Sequence, residues 1–212
     1  MLFSTWICSL RSSVSLRVPT YNERQVEIDP AGNLAFVAAP DVLPHFDRLL
    51  PQAVRRAPPG SIFEWRADNV AMELGKRLAR DGGAALVIDY GHAESAAGDT
   101  LQAVGQHAFA DPLTAPGNID LTAHVDFQAL GKAVEAMGAS GFGPLTQAEF
   151  LRRLGIETRA ASLKAKAAGT VGVDIDAALA RLIGENSAGM GTLFKVAAFA
   201  NPALGVPPGF ET

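Results

Sequence analysis

Three of the four histidines in this 212-residue chain, and several of its carboxylates, fall between Ala84 and Phe127. Asp89-Tyr90-Gly91-His92 comes first; His107 follows, and then Asp120-Leu121-Thr122-Ala123-His124-Val125-Asp126. Carboxylates grip cationic groups, and they suit the planar guanidinium fork because two oxygens can accept two N–H groups at once. Imidazoles exchange protons near neutral pH. A metal site built from His92, His124, Asp120 and Asp126 would use the same types, yet no pair of them has standard ligand spacing. Several of these residues also have purely structural explanations. Asp126 stands just before an expected helix, where it would serve as an N-cap, and His107 reads as a packed loop histidine. Asp89 is harder to explain away, because it closes an apolar strand and an unpaired buried carboxylate costs several kcal/mol.

The elements that must hold these groups are legible from the apolar pattern. Ala84 to Asp89 is a short apolar run between Gly82-Gly83 and Gly91, expected to be a fully buried strand. The stretch after it is long for a structureless connection, and Phe109, Leu113, Ile119, Leu121, Val125 and Phe127 give it apolar side chains with which to pack itself down. Ahead of it, Arg24 to Ile28 and Leu34 to Val37 flank the turn-forming Asp29-Pro30-Ala31-Gly32-Asn33 and predict a hairpin. Five prolines between residues 39 and 60 predict a surface connection with one helical turn near Phe46 to Leu50. A helix over 64–80 would place Val70, Ala71, Leu74 and Leu78 on one face, ending at Gly82. Helix followed by buried strand is the alternation of a parallel α/β sheet, whose chemistry lies beyond the carboxyl ends of the strands.

Downstream, Phe127 to Met137 predicts a helix with Phe127, Leu130, Val134 and Met137 in phase. Thr146-Gln147-Ala148-Glu149 is a capping box that starts another, burying Phe150, Leu151 and Leu154. Residues 157–186 predict two more helices, broken at Gly169 to Gly172, and Thr192 to Phe199 is the closing strand. The expected sheet is therefore Ala84 to Asp89, Phe142 to Leu145 and Leu193 to Phe199.

Composition narrows the function classes. A formal charge of −4 and a sequence pI near 5.5 argue against nucleic acid as a partner. A single cysteine, Cys8, excludes an intramolecular disulfide framework, and no apolar run has the length of a membrane span, so no membrane partner is expected. Gly-rich turns at 138–143 and 189–191 precede strands rather than joining strand to helix, so they do not form a nucleotide cradle; GxSxG, HExxH and CxxC are absent. Residues 1–20 differ from the rest, with five serines, Arg11 and Arg17, and no acidic residue. They read as a segment that is not native coding sequence, as a transit peptide, or as a divergent terminus. The expected organisation is that atypical segment followed by one domain over 21–212.

The ordered series Asp89-Tyr90-Gly91-His92, Asp99-Thr100, His107, Asp111-Pro112-Leu113, Ala115-Pro116-Gly117, Asp120 to Phe127, Gly143 to Gln147 and Met190-Gly191 resembles the MidA family over about residues 22–200. The resemblance implies a class I methyltransferase dependent on S-adenosylmethionine, with a partial doubly wound Rossmann-like α/β sheet, flanking helices and an added β-hairpin. It also implies protein-arginine N-methylation linked to respiratory complex I assembly. For that chemistry the residues themselves offer Asp89, His92 and His124 as catalytic candidates and Tyr90, Asp120, Thr122 and Asp126 as substrate-binding candidates, with no cofactor-binding residue and no metal expected. Family members carry, ahead of this region, a Gly-rich turn for S-adenosylmethionine and an Asn-Glu-Phe-type strand, neither of which occurs here. The chain thus resembles the C-terminal half alone and is expected to be inactive in isolation. The alternative is a non-catalytic module that keeps a protein-binding groove. Expected partners are a protein substrate, a complex I subunit among them, and a second copy through an unpaired sheet edge. The expected location is the cytoplasm in a bacterium or the mitochondrial matrix in a eukaryote.

Overall fold

The computed structural model describes residues 5–11, 20–66, 68–105 and 108–211, with side chains except those of 5–11 and Arg66. Residues 1–4 and 12–19 of the atypical segment, and the candidate His107, lie outside the described residues. In chain order the elements begin with β1 (Thr5–Arg11), β2 (Thr20–Ile28), β3 (Leu34–Val42), α1 (Gln52–Arg55), β4 (Ile62–Arg66), α2 (Asn69–Asp81) and β5 (Ala84–His92). They continue with β6 (Gln102–Gly105), β7 (Ala108–Ala110), β8 (Asp120–Thr122), β9 (Val125–Asp126) and α3 (Phe127–Glu135). The last are β10 (Ser140–Thr146), α4 (Gln147–Arg153), α5 (Ile156–Lys164), α6 (Val171–Ile183) and β11 (Phe194–Ala200). None of the described helices is long and apolar enough to cross a membrane. The chain divides into two compact units, residues 1–67 with 95–124 and residues 68–94 with 125–212.

In the first unit the predicted hairpin forms, with Ile28 opposite Leu34. The Asp29 carboxylate accepts the N–H groups of Ala31 and Asn33 at 2.8 Å each, which sets the reversal. The sheet runs β3-β2-β1-β4, so Thr5–Arg11, where no strand was expected, is an interior strand. The proline-rich connection is not a surface strap. Phe46, Leu50 and Val54 bury against Tyr21 and Phe63, because its prolines punctuate short turns that point apolar residues inward. The long loop holds a second, three-stranded sheet in the order β7-β6-β8. Strands of three or four residues are too short to show alternation, which is why the pattern concealed them. Ala103 and not the larger residues is buried there; Phe109 is 79% exposed and Leu121 57%, against the expectation that they pack the loop down.

In the second unit β5, β11 and β10 form the expected sheet, in the order β10-β11-β5-β9. The expected parallel arrangement is corrected: β11 runs antiparallel to both neighbours, and among the described residues parallel pairing is confined to Gly91 and His92 of β5 with Val125 and Asp126 of β9. One face carries Ala85 and Val87 with Ala197 and Phe199, and α2 and α3 cover it with Ala71, Leu78, Phe127 and Val134. On the other face Phe150 of α4 and Phe210 cover Val196 and Ala198. That cover stops at β11. Leu86 is 51% and Ile88 47% exposed, so β5 is not the fully buried strand that its composition predicts.

The first long helix starts later than the pattern suggested, whereas α3 and α4 start at Phe127 and Gln147 as expected. Residues 62–66 belong to β4, so α2 begins at Asn69, and Val70 is turned outward while Ala71, Gly75 and Leu78 are buried. Asp126 caps α3 by accepting the Ala129 N–H at 2.9 Å. Thr146 caps α4 through the Glu149 N–H at 3.2 Å, but the Glu149 carboxylate pairs with Arg153 at 2.6 Å. Leu154, expected in the core, is exposed. Asn201 closes β11 and donates to the Leu78 and Ala79 carbonyls at the end of α2.

Gly91 sits where β5 meets β9 and α3: a Cβ there would lie 2.8 Å from the Phe127 ring and closer still to the Val125 carbonyl oxygen. Gly91→Ala should cost about 1–3 kcal/mol and lower Tm by roughly 3–10 °C in a thermal melt. Gly98→Ala, where a Cβ meets nothing within 4 Å, is the control and should leave Tm near the parent value.

Candidate functional site

The seven sequence candidates divide between the two units. Asp89, Tyr90, His92 and Asp126 belong to the second, Asp120, Thr122 and His124 to the first.

In the second unit the ladder between β5 and β11 sets the side-chain directions. Asp89 lies on the face of Ala85 and Val87, opposite Lys195, and Tyr90 lies on the other face, opposite Phe194. The Asp89 carboxylate accepts the Tyr90 N–H at 2.8 Å. Lys195 donates to the Thr192 carbonyl at 2.6 Å, and burial lowers its pKa. The Tyr90 and Phe194 rings pack with centroids 4.6 Å apart.

At the end of β5 the parallel register brings His92 beside Asp126, with Nε2 and Oδ2 3.7 Å apart. That separation is beyond a hydrogen bond. The histidine side chain is 30% exposed and the carboxylate 12%, so the pair is sheltered and still reachable. One oxygen of Asp126 serves the α3 cap and the other faces the histidine. Asp68, at the start of α2, joins this group. Burial first, and the charge of Asp126 second, raise its pKa, and its side chain does not cap the helix it precedes. Asp126 therefore faces an imidazole and also acts through its charge on a second carboxylate.

In the first unit the organising residue is Glu64 on β4. Its carboxylate accepts the Thr100 N–H at 2.9 Å and the Thr100 hydroxyl in a shorter contact. The same hydroxyl oxygen accepts the His124 N–H at 2.9 Å. Glu64 thus ties the beginning of the 95–124 segment to its end. The Arg24 guanidinium adds a second tie, donating to both Asp99 oxygens at 2.7 and 3.3 Å while lying 4.1 Å over the Phe36 ring. Thr122 is held in β8 opposite Gln102, and Asp120 is exposed opposite Val104.

Sequence reasoning missed Glu64, Asp68 and Lys195. Glu64 and Asp68 fall within a stretch read as the beginning of a helix, and recognising Ile62–Arg66 as a strand was the signal that would have singled them out. Among the described residues no three His, Cys, Asp or Glu side chains gather as a metal site requires.

S-adenosylmethionine is a different matter. Its binding calls for a Gly-rich turn leading from a strand into a helix. Among the described residues, β9 passes to α3 through Asp126 and β10 to α4 through Thr146, both without glycine at the junction. Neither of these two junctions fits that group.

Comparison with known proteins gives the family. A family model for S-adenosyl-L-methionine-dependent methyltransferases matches residues 13–145. The chain is 40% identical over 149 residues to "Protein arginine methyltransferase NDUFAF7, mitochondrial" of Rattus norvegicus, covering 69% of this chain and 33% of that protein. It is 38% identical over 146 residues to the Homo sapiens protein of the same name, covering 66% and 31%. A COG1565 superfamily protein from Burkholderia thailandensis superposes with a TM-score of 0.76 and 30% identity over 97% of this chain and 52% of its own. A second structure, of a COG1565 superfamily member from that organism bound to S-adenosyl-homocysteine, gives 0.74 and 29% over 97% and 51%. The chain thus spans about a third of the curated relatives and about half of the solved ones. With the family model covering more than half of its residues and the fold superposing over nearly all of them, this chain belongs to the MidA-like family of S-adenosylmethionine-dependent methyltransferases.

Proposed function

We propose that this chain supplies the protein-substrate side of a MidA-type protein arginine methyltransferase, and that the methyl donor's pocket belongs to sequence outside these 212 residues. The observation that carries the reading is the pairing of two facts. Nearly all of the chain superposes on about half of a solved family member, and the junctions from strand to helix described above lack a Gly-rich turn. The names of the mammalian relatives support protein arginine as the acceptor. The family resemblance adds a respiratory complex I subunit as the protein that is modified, and the mitochondrial matrix as the place in a eukaryotic cell.

The donor, when bound by the whole enzyme, supplies the methyl group. This chain's own residues have two tasks. A guanidinium must be held by its N–H groups, a task for carboxylates: Asp89 and Asp126 in the second unit and Asp120 in the first are the candidates, with Tyr90 and Thr122 as further polar groups. The nitrogen must also lose a proton, and His92 and His124 are the candidate acceptors, His92 with a sheltered carboxylate 3.7 Å away.

Isothermal titration of the 212-residue chain with S-adenosylmethionine should show no binding in the micromolar range; a micromolar Kd would refute the division of labour. With the rest of the fold restored, labelled methyl transfer to arginine in solubilised complex I gives the second test. Asp89→Asn and His92→Gln should each lower kcat by about 100-fold or more at unchanged Tm, and rates within twofold of the parent would remove those residues from the chemistry. Asp68 gives a test that needs no activity. Its raised pKa means that the folded state favours the protonated acid, so this contribution is present below the ordinary value of 3.8 and is lost as pH rises through the folded value. Asp68→Asn should therefore raise Tm at pH 7 by about 1–2 °C, allowing for solvent screening. The gain should fade near pH 4.

A further inference from the structure

In the small sheet of the first unit, Val104 of β6 stands between Phe109 of β7 and Asp120 of β8, directly opposite each. Residues opposite one another in a ladder send their side chains to the same face, so a ring, a valine and a carboxylate form one row. Gln102 and Thr122, paired two positions further along β6 and β8, add an amide and a hydroxyl to that face. The buried Ala103 points the other way.

A single exposed apolar side chain means little by itself. Phe109 differs in what stands across from it. At 79% it is the most exposed of the large apolar side chains among the described residues, and Asp120, exposed on the far side of Val104, has an unengaged carboxylate among them. The two other carboxylates of segment 95–124 are taken: Asp99 accepts from Arg24, and Asp111 accepts the Leu113 N–H at 2.8 Å. The segment holds no lysine or arginine.

The same unit shows what a ring and a carboxylate hold together. The Arg24 guanidinium lies 4.1 Å over the Phe36 ring and donates to Asp99 at 2.7 Å, so one planar cation satisfies both. We infer that the row of Phe109, Val104 and Asp120 is a docking site for an arginine presented by a partner protein. The arginine's apolar stem would lie on Val104, with its guanidinium between the Phe109 ring and the Asp120 carboxylate. Lysine fits less well, because a compact ammonium lacks the flat face that stacks on a ring and the fork that a carboxylate accepts. A phosphate-rich partner would be repelled by the three aspartates of the segment, and a second copy would set those aspartates against themselves across a two-fold axis. The row has no imidazole of its own, so this arginine is held and not methylated. Asp120 is thereby assigned to a second arginine of the acceptor, which rests on the proposed reading that the partner is a protein modified at arginine.

The test is a nuclear magnetic resonance titration of the 212-residue chain with the blocked peptide acetyl-Gly-Val-Arg-Val-Gly-amide. The amide resonances of Val104, Phe109 and Asp120 should shift with a Kd of about 1 mM. Lysine in place of the peptide's arginine should weaken binding about threefold, and neutral citrulline about tenfold. Phe109→Ala and Asp120→Asn, both at exposed positions and checked by circular dichroism for an unchanged fold, should each weaken it about threefold. No shift at the row with about 10 mM peptide, equal binding of the lysine peptide, or binding indifferent to both substitutions would overturn the proposal. So would a dimer of the chain alone in which the row is already shielded. Methyl transfer with the rest of the fold restored separates this from the functional reading. Phe109→Ala should then raise KM for the acceptor protein about threefold, and a loss confined to kcat would also overturn the docking site. Peptide binding at the row without methyl transfer to arginine sinks the functional reading and leaves the docking site standing; methyl transfer without peptide binding at the row does the reverse.

Discussion

The ladder between β5 and β11 decides what each side chain of β5 can do. Its antiparallel register runs without interruption from Ala84 opposite Ala200 to Tyr90 opposite Phe194. Strand geometry then sends alternate residues to opposite faces, so Ala85, Val87 and Asp89 go toward α2 and α3, and Leu86, Ile88 and Tyr90 go the other way. A slip of one residue would turn Asp89 to the half-exposed face of Leu86 and Ile88 and bring Leu86 against the α2 side. The apolar packing of Ala197 and Phe199 on one face and of Val196 and Ala198 on the other opposes that slip. Asp89 is therefore positioned by core packing several residues away from it. The loop that follows is positioned separately, by the Glu64 carboxylate and the Arg24 guanidinium.

Elements whose signals are local were readable in the chain. The Asp29 turn, the Asp126 and Thr146 caps and the break between α5 and α6 each depend on side chains within a few residues of the feature they make. What was not readable depends on distant partners. Thr5–Arg11 is an interior strand because β2 and β4 flank it, and no residue within it announces that. The sense of the main sheet is another such case: helix followed by strand suggests parallel pairing, yet β11 returns between β10 and β5 and makes both ladders antiparallel. The exposure of Leu86 and Ile88 belongs here too, since an apolar run looks the same whether one face is covered or both.

The candidate site divides along the same line. Asp89, Tyr90 and His92 were found because they end a strand of clear composition, and Asp126 because its spacing to α3 fits a cap. Glu64 escaped notice because its importance lies in Thr100, 36 residues away in sequence. Asp68 escaped because a carboxylate before a helix is ordinarily a cap, and here the α2 N-terminus is left without its side chain. In both cases an ordinary local explanation was available, and only the fold shows that the side chain is engaged elsewhere.

Asp68 and Asp126 also explain why the region should favour a cationic guest. Burial and like charge both penalise ionised Asp68, while Asp126 is committed to the α3 N-terminus through one oxygen and cannot turn away without giving up that cap. The chain therefore tolerates a local electrostatic cost that a neutral residue at position 68 would avoid. A guanidinium brought near would offset it, because its delocalised charge and several N–H donors answer two carboxylates at once, whereas the imidazole of His92 at 3.7 Å makes no hydrogen bond to Asp126. Under the proposed function the cost is useful: repulsion present without substrate and relieved by it adds to affinity for a cationic side chain and gives nothing to a neutral one. Stability given up at a site in this way is the usual companion of binding, and it accounts for a carboxylate that the folding of α2 does not need.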